Sequence, residues 1–499
     1  MAATSAARGS ALGAGIWLGA ASAVNLGATT VAGLYLARLL PIAEFGRLAF
    51  VLNAYLLLVL VAGLGLTVGV SAEVASGRSR GAAEVWENVA ALAMLRLLTA
   101  ALAVACGALV AALSGDPLLL LGTVAAASYI VQDFVAGILQ GLLRTRTVSL
   151  LLVTQPVSYL AVILWLQPSR AEQVMEALVA TFLPSLALAA AVVAALRLPW
   201  RRPTWGTLAR LGRAVALSGH SYLLSFLQMG FLSVAILVLG ALGYYAEAAV
   251  LSIIFTLVRP MYGIWTAVLA AGYFPRLHAL GSLADPEARS LFDGFARAAG
   301  ALSIPVGLGL AVFAQPVLAL LFGGRYDGFA TYLAGASPLV VLLALEGLIT
   351  WTLLAQRGAV WASVALLARF SVVAAACLVV AVVPGSAAWC LPFLVAGHVI
   401  AGAVGVLLAL RRAPGRAWLR LPLRPLLLSI AITGAGFVGL RYVVPPPYTA
   451  AAQFAVLAVV GLGSWLIGLY PLLSGRVPLG LVPARSGATI VPRRGEPVR

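Results

Sequence analysis

The sequence predicts an all-α, polytopic membrane protein with about 14 transmembrane helices. Of its 499 residues, 63% are hydrophobic and only 9% are charged, whereas a soluble domain carries about 25% charged residues. Apolar runs of the length that crosses a bilayer, about 20 residues, recur along the chain. A soluble fold of this length could not bury so much apolar surface, so most of the chain is expected to lie in lipid.

Each span is defined by an apolar window flanked by short polar or turn-forming segments. The first apolar run is longer than the hydrophobic region of a signal peptide, so we interpret it as a retained helix. The predicted spans are residues 12–36, 48–70, 88–113, 118–141, 150–166, 173–196, 214–241, 247–271, 297–322, 331–355, 361–384, 389–411, 425–444 and 449–473.

The distribution of arginine predicts the orientation of these spans. The formal net charge is +17, and all 32 basic residues are arginine. If the N-terminus is cytoplasmic, 24 arginines fall in cytoplasmic segments and five on the opposite side. This bias follows the positive-inside rule and places both termini in the cytoplasm of a bacterial inner membrane. The basic charge is then explained by topology and anionic lipid headgroups, and nucleic acid is not an expected partner.

The loops exclude a large catalytic domain outside the membrane. All outward loops are short, and the two longest inward loops, at 197–213 and 273–296, are interpreted as basic amphipathic connectors. Three cysteines lie in apolar stretches without metal-ligand spacing. We find no P-loop, zinc-hydrolase or serine-hydrolase motif. The sequence therefore predicts a protein that is not an enzyme and has no cofactor or metal.

A weak internal repeat divides the chain. Asp133 and Glu346 are 213 positions apart, and each precedes an arginine, Arg144 or Arg357, by 11 residues. We predict two pseudo-symmetric six-helix bundles, at 1–213 and 214–412, followed by helices 13 and 14 at 413–473 and a disordered cytoplasmic tail at 474–499.

Two segments resemble a known family. LARLLPIAEFG at 36–46 is similar to the "ARxLGPxEFG" opening of bacterial polysaccharide-biosynthesis flippases, although it lacks the glycine before Pro41. LLFGGRY at 320–326 resembles the "LFGxxY" outer turn of the same family. That family belongs to the multidrug/oligosaccharidyl-lipid/polysaccharide exporter superfamily. The resemblance implies a V-shaped pair of bundles that exports undecaprenyl-diphosphate-linked glycan by alternating access.

Charged residues inside spans are the candidate site, because each costs about 2.5–3.5 kcal/mol on insertion scales. Arg259 lies midway along the eighth span and precedes Pro260, which should kink the helix. A guanidinium there could hold a diphosphate in a bidentate manner, or pair with Asp133 or Glu346 for packing.

The other intramembrane polar residues leave alternatives open. Arg96 and Arg369 could line a cavity or extend to the cytoplasmic interface. Asp133 and Glu346 could couple transport to protons or cations, or act as counter-ions. Asn25 and Asn53 could bind sugar hydroxyls, or bond neighbouring helices. Single histidines such as His398 are expected to be structural.

These observations favour a flippase for lipid-linked oligosaccharide in cell-surface polysaccharide biosynthesis, such as lipopolysaccharide or exopolysaccharide. The expected partners are this substrate, membrane lipids, and a polysaccharide polymerase and glycosyltransferases. A multidrug exporter of the same superfamily is one alternative, although an acidic cavity and 12 spans would suit it better. A membrane polymerase or glycosyltransferase is the other, and the short outer loops argue against it.

Overall fold

The computed structural model describes residues 2–63, 66–76, 82–196, 233–280, 285–357, 359–383 and 385–410, with positions 204, 207, 223, 226–228 and 230. Within these residues the chain is helical and contains no strand. The all-α class predicted by the sequence is confirmed.

The first half of the described chain contains seven helices. They are α1 (Ala2–Leu39), α2 (Ile42–Gly63), α3 (Leu66–Ser76), α4 (Ala82–Ser114), α5 (Pro117–Gly141), α6 (Thr145–Leu166) and α7 (Ala171–Leu196).

The second half begins with helical residues 233–241. It continues with α8 (Tyr245–Val268), a π-helix (Leu269–Tyr273), α9 (Phe274–Leu280), α10 (Pro286–Val312), α11 (Ala314–Phe322), a 3₁₀ turn (Asp327–Phe329), α12 (Ala330–Ala336), α13 (Pro338–Arg357), α14 (Ala359–Val382), a second 3₁₀ turn (Ser386–Trp389) and α15 (Cys390–Leu410).

Ten helical stretches in the described residues are long and apolar enough to cross a membrane. They correspond to the predicted spans one to six and nine to twelve, and α8 occupies the eighth. Spans 13 and 14, the tail and half of span seven lie outside the described residues, so the count of 14 stays a prediction. The ten stretches are Trp17–Leu39, Ile42–Gly63, Glu84–Ser114, Pro117–Gly141, Thr145–Leu166, Ala171–Leu196, Pro286–Val312, Asp327–Gln356, Val360–Val382 and Cys390–Leu408.

The predicted start of span nine was wrong, since most of the amphipathic connector at 273–296 is helical. The π-helix leads into α9, and α10 begins eleven positions before the predicted start of span nine. Asp285 caps α10 by accepting a hydrogen bond from the Glu287 N–H at 2.7 Å, and Pro286 occupies the first turn. These start signals favour a helix although the first turns are polar and extend beyond the apolar window.

The second span begins earlier than predicted. The sequence predicts a start at position 48, but α2 begins at Ile42. Ile42 starts the helix directly after Pro41, whose missing N–H is harmless at a helix beginning. Positions 64 and 65, between α2 and α3, lie outside the described residues.

The helices pack in two groups, which follow the order of the chain. Helices α1 to α7 form the first group, and α8 to α15 form the second. In the first, α1 packs on α6, and α5 packs on α3, α4 and α7; in the second, α13 packs on α10 and α15, and α14 packs on α15. The groups meet where α1 and α2 pack against α8, and where α1 contacts α11. At Gly46 a methyl group would lie 1.8 Å from the Tyr245 carbonyl oxygen, so glycine permits backbone contact there.

Candidate functional site

The first polar cluster is centred on Arg96, which α4 directs into the first helix group. Its neighbours Met94, Leu97 and Leu98 are more than half exposed and form a lipid-facing surface, whereas Arg96 is only 2% exposed. Because successive helix positions point in different directions, one helix can carry a lipid-facing surface and a buried cation. Arg96 therefore does not extend to the interface, one of the two alternatives that the sequence left open.

Four groups surround the Arg96 guanidinium. Nη2 donates to Asp133 Oδ2 at 2.7 Å and to Thr67 Oγ1 at 3.1 Å, and Nε donates to the Ile130 carbonyl at 3.3 Å. Nη1 donates to the carbonyl of Gly63 in α2. The Thr67 hydroxyl also donates to Asp133. Arg96 thus bonds a backbone carbonyl of α2 and pairs with a carboxylate on α5.

The second cluster is centred on Arg369 of α14, which is completely buried. Its Nη1 donates to Glu346 Oε1 on α13. Its Nη2 donates to the backbone carbonyls of Leu227 at 2.5 Å and Gln228 at 3.3 Å. As in the first cluster, one guanidinium joins an intramembrane carboxylate to backbone carbonyls of another segment. Arg369 also does not extend to the interface.

His398 of α15 completes the second cluster and was not identified as a site residue from the sequence. Its Nδ1 lies 2.5 Å from Glu346 Oε2, and the histidine is 1% exposed. Both carboxylate oxygens of Glu346 are therefore bonded, one to an arginine and one to a histidine. A buried carboxylate needs such partners, but nothing in the sequence around His398 indicates which helix supplies them.

The two clusters are only partly related by the internal repeat. The acids occupy matched helices and lie 213 positions apart. The arginines do not match, because Arg96 comes from the helix before its acid and Arg369 from the helix after it. Asp133 is also 30% exposed at its side chain, whereas Glu346 is 7% exposed. The clusters thus share a composition but differ in construction and in access.

The other sequence-predicted residues are Asn53, Asn25 and Arg259. Asn53 donates to the Ala49 carbonyl of its own helix at 2.8 Å, which satisfies one amide hydrogen locally. Asn25 is half-buried on α1. The backbone of Arg259 lies in α8, but its side chain lies outside the described part of the structure. Within the described residues, no group of three acidic, histidine or cysteine side chains could hold a metal ion.

The fold defines the class of protein, a polytopic helical membrane protein. One similar structure is the lipid II flippase MurJ in an inward closed conformation, with TM-score 0.66 and 11% identity over 93% of this chain and 100% of that one. An inward-facing multidrug resistance MATE family transporter of the MOP superfamily gives TM-score 0.59 and 16% identity, over 78% and 94%. A eukaryotic MATE transporter gives 0.52 and 14%, over 85% and 98%.

The sequence gives the family directly. The profile of the family described as "Polysaccharide biosynthesis protein" matches residues 12–275, which is more than half of the chain. The chain therefore belongs to the polysaccharide biosynthesis protein family, as the segments at 36–46 and 320–326 indicated. No curated protein sequence matches it.

Proposed function

We propose that the protein is a flippase that moves undecaprenyl-diphosphate-linked oligosaccharide across the bacterial inner membrane for cell-surface polysaccharide biosynthesis. Its family membership carries the proposal, and its fold, which resembles that of a lipid II flippase, supports it. Lipid II is itself a lipid-linked sugar, which gives a reason to consider this substrate class. The transport step would be alternating access between the bundles at 1–213 and 214–412.

The proposed substrate has a diphosphate that must leave water, and arginine suits this task. A guanidinium stays charged and offers paired donors to phosphate oxygens. We assign Arg259, Arg96 and Arg369 to the diphosphate, and Asn25 and Asn53 to sugar hydroxyls. In the present conformation, Arg96 and Arg369 are enclosed by their ion pairs. Phosphate would therefore reach them only after the surrounding helices rearrange. Asp133 and Glu346 would then act as counter-ions of the arginines or couple transport to protons or cations.

The cellular setting follows from the same proposal. With both termini in the cytoplasm, the turn at 39–42, where α1 ends and α2 begins, lies on the opposite side of the membrane. Glycosyltransferases would build the lipid-linked glycan on the inner face, and a polymerase would consume it on the outer face. Both are proposed as partners in the process, together with the membrane lipids.

Neutralising Arg259 tests the diphosphate assignment. In cells that lack the chromosomal gene, Arg259→Gln should abolish surface polysaccharide, because an amide cannot neutralise phosphate within the membrane. Arg259→Lys should retain part of the activity, since it keeps a point charge. Surface glycan is measured together with the amount of protein in the membrane. Wild-type glycan in Arg259→Gln at normal protein levels would contradict the assignment.

A multidrug exporter is the second candidate, because the fold also resembles MATE transporters. A carrier of cationic drugs would favour acidic groups in its cavity, whereas Asp133 and Glu346 are each bonded to an arginine. The two candidates differ in a simple measurement. Deleting the gene should lower surface glycan without changing drug resistance if the flippase proposal is correct, and the reverse result would favour drug export.

A further inference from the structure

Arg325 joins the two helix groups at the end where α1 stops and α2 starts. It lies in the turn after α11, in the second group. Its Nη1 is 3.1 Å from the Arg38 carbonyl oxygen and 3.2 Å from those of Leu39 and Leu40. One guanidinium nitrogen therefore meets three successive carbonyls of a helix that belongs to the first group.

The end of α1 leaves these carbonyls available. The Leu40 N–H still bonds to the Leu36 carbonyl at 2.8 Å, but Pro41 has no N–H to continue the helix. The final carbonyls of a helix lack intrahelical partners and carry partial negative charge. A cation with several donors is the group that such a terminus binds best.

The turn that carries Arg325 is fixed by its neighbours. Gly323 and Gly324 have φ of 66° and 84°, the left-handed region in which glycine ends a helix. Tyr326 is completely buried, and its ring lies 5.3 Å from that of Phe322 in an edge-to-face arrangement. With the backbone bent on one side and the aromatic side chain anchored on the other, Arg325 is directed at the end of α1.

The helices beside this contact are also in close contact. The backbones of α2 and α8 meet at Gly46 and Tyr245, where no side chain would fit. A methyl group at Gly240 would similarly lie 2.4 Å from a ring carbon of Phe50. At these two contacts the described helices touch directly, so this end of the interface has to separate for anything to pass between the groups here.

We propose that Arg325 is a latch that holds the α1–α2 end of the interface closed and that must release its three carbonyls when this end opens. The contact suits a reversible latch, because its acceptors are neutral and two of the three hydrogen bonds are exposed to solvent. Water can replace a carbonyl as the partner of arginine at low cost, unlike the carboxylate partners of the buried arginines. This inference concerns the closed interface and does not depend on which substrate is carried.

Cysteine labelling measures the state of the latch without any substrate. The reporter is Thr256→Cys on α8, which faces Gly33 of α1 in the interface, in a background in which Cys106, Cys377 and Cys390 are replaced. A membrane-impermeant maleimide is added to spheroplasts and, separately, to inverted vesicles. The side that labels Arg325→Cys identifies the α1–α2 end.

Arg325→Ala should increase labelling of the reporter from that side about tenfold or more, since losing hydrogen bonds from a charged donor shifts a two-state equilibrium by this order. Arg325→Lys keeps a cation with three donors and should label less than Arg325→Ala. Arg47→Gln is the matched control, because Arg47 bonds Asp116 and Glu172 within the first group, and it should leave labelling unchanged.

Two results would overturn the latch. One is unchanged labelling in Arg325→Ala at normal protein levels, and the other is an equal increase in Arg47→Gln. If Arg325→Ala does not accumulate in the membrane, Arg325→Gln provides the same comparison with a polar side chain of similar reach. Because no transport is measured, failure of this test leaves the flippase proposal standing, and failure of that proposal leaves the latch testable.

Discussion

Replacing Glu346 with alanine should prevent the protein from accumulating in the membrane. The change leaves Arg369, which is completely buried, without its carboxylate, and removes the partner of His398. Breaking a buried ion pair by removing one partner costs about 3–5 kcal/mol. That loss is a large part of the free energy of unfolding of a native protein, which is roughly 5–15 kcal/mol. Protein level and thermal unfolding in detergent measure the effect.

Two matched variants separate charge from packing. Glu346→Gln combined with Arg369→Gln removes both charges and should recover much of the lost stability, because no unpaired ion remains. Asp133→Ala removes an acid that pairs with one cation, whereas Glu346 contacts both Arg369 and His398, so the loss should be smaller. Normal levels of Glu346→Ala, or no recovery in the double variant, would contradict a structural ion pair.

A disulfide between α1 and α8 should stop transport. A methyl group at Gly33 would lie 3.5 Å from Cγ2 and 3.8 Å from Oγ1 of Thr256, so side chains at the two positions meet, as a disulfide requires. In a cysteine-free background, Gly33→Cys with Thr256→Cys should lose activity on oxidation and regain it on reduction, because the two helix groups can no longer separate. Surface glycan and the fraction cross-linked are measured together.

The control disulfide lies within one helix group. A methyl group at Gly405 of α15 would be 3.7 Å from Cβ of Ala365 on α14 but only 2.6 Å from Cγ2 of Ile349. In a background with Ile349→Ala to make room, Gly405→Cys with Ala365→Cys should cross-link without loss of transport. If the α1–α8 disulfide forms fully and transport continues, the two groups do not separate along this interface. A mechanism in which the α1–α8 interface opens for transport would then be excluded.

Composition and apolar periodicity were enough to predict the membrane class and most spans, because a bilayer imposes a strong length requirement on each helix. They failed where another signal determined the helix end. The cap at Asp285 and Pro286 extends α10 into polar sequence, and Pro41 allows α2 to begin at Ile42, ahead of the apolar window that starts at 48.

The site was predicted less completely than the fold. The cost of charge in lipid identified Arg96, Arg369, Asp133 and Glu346 as unusual, and the structure gathers them into two clusters. Their pairing depends on which helices pack together over tens to hundreds of positions, and local sequence does not encode this. The contacts of His398 with Glu346, 52 positions away, and of Arg325 with Arg38, 287 positions away, have the same character.

Direct measurement of lipid translocation tests the central claim. Lipid-linked glycans extracted from cells that lack the gene are reconstituted with the purified protein in liposomes, and the fraction in each leaflet is followed with a membrane-impermeant glycosidase. The account predicts that glycan enclosed inside the liposomes becomes accessible much faster with protein than without it. It also predicts that oxidising the Gly33→Cys, Thr256→Cys variant removes the acceleration. Accessibility that rises no faster with active, correctly folded protein than in protein-free liposomes would contradict a flippase.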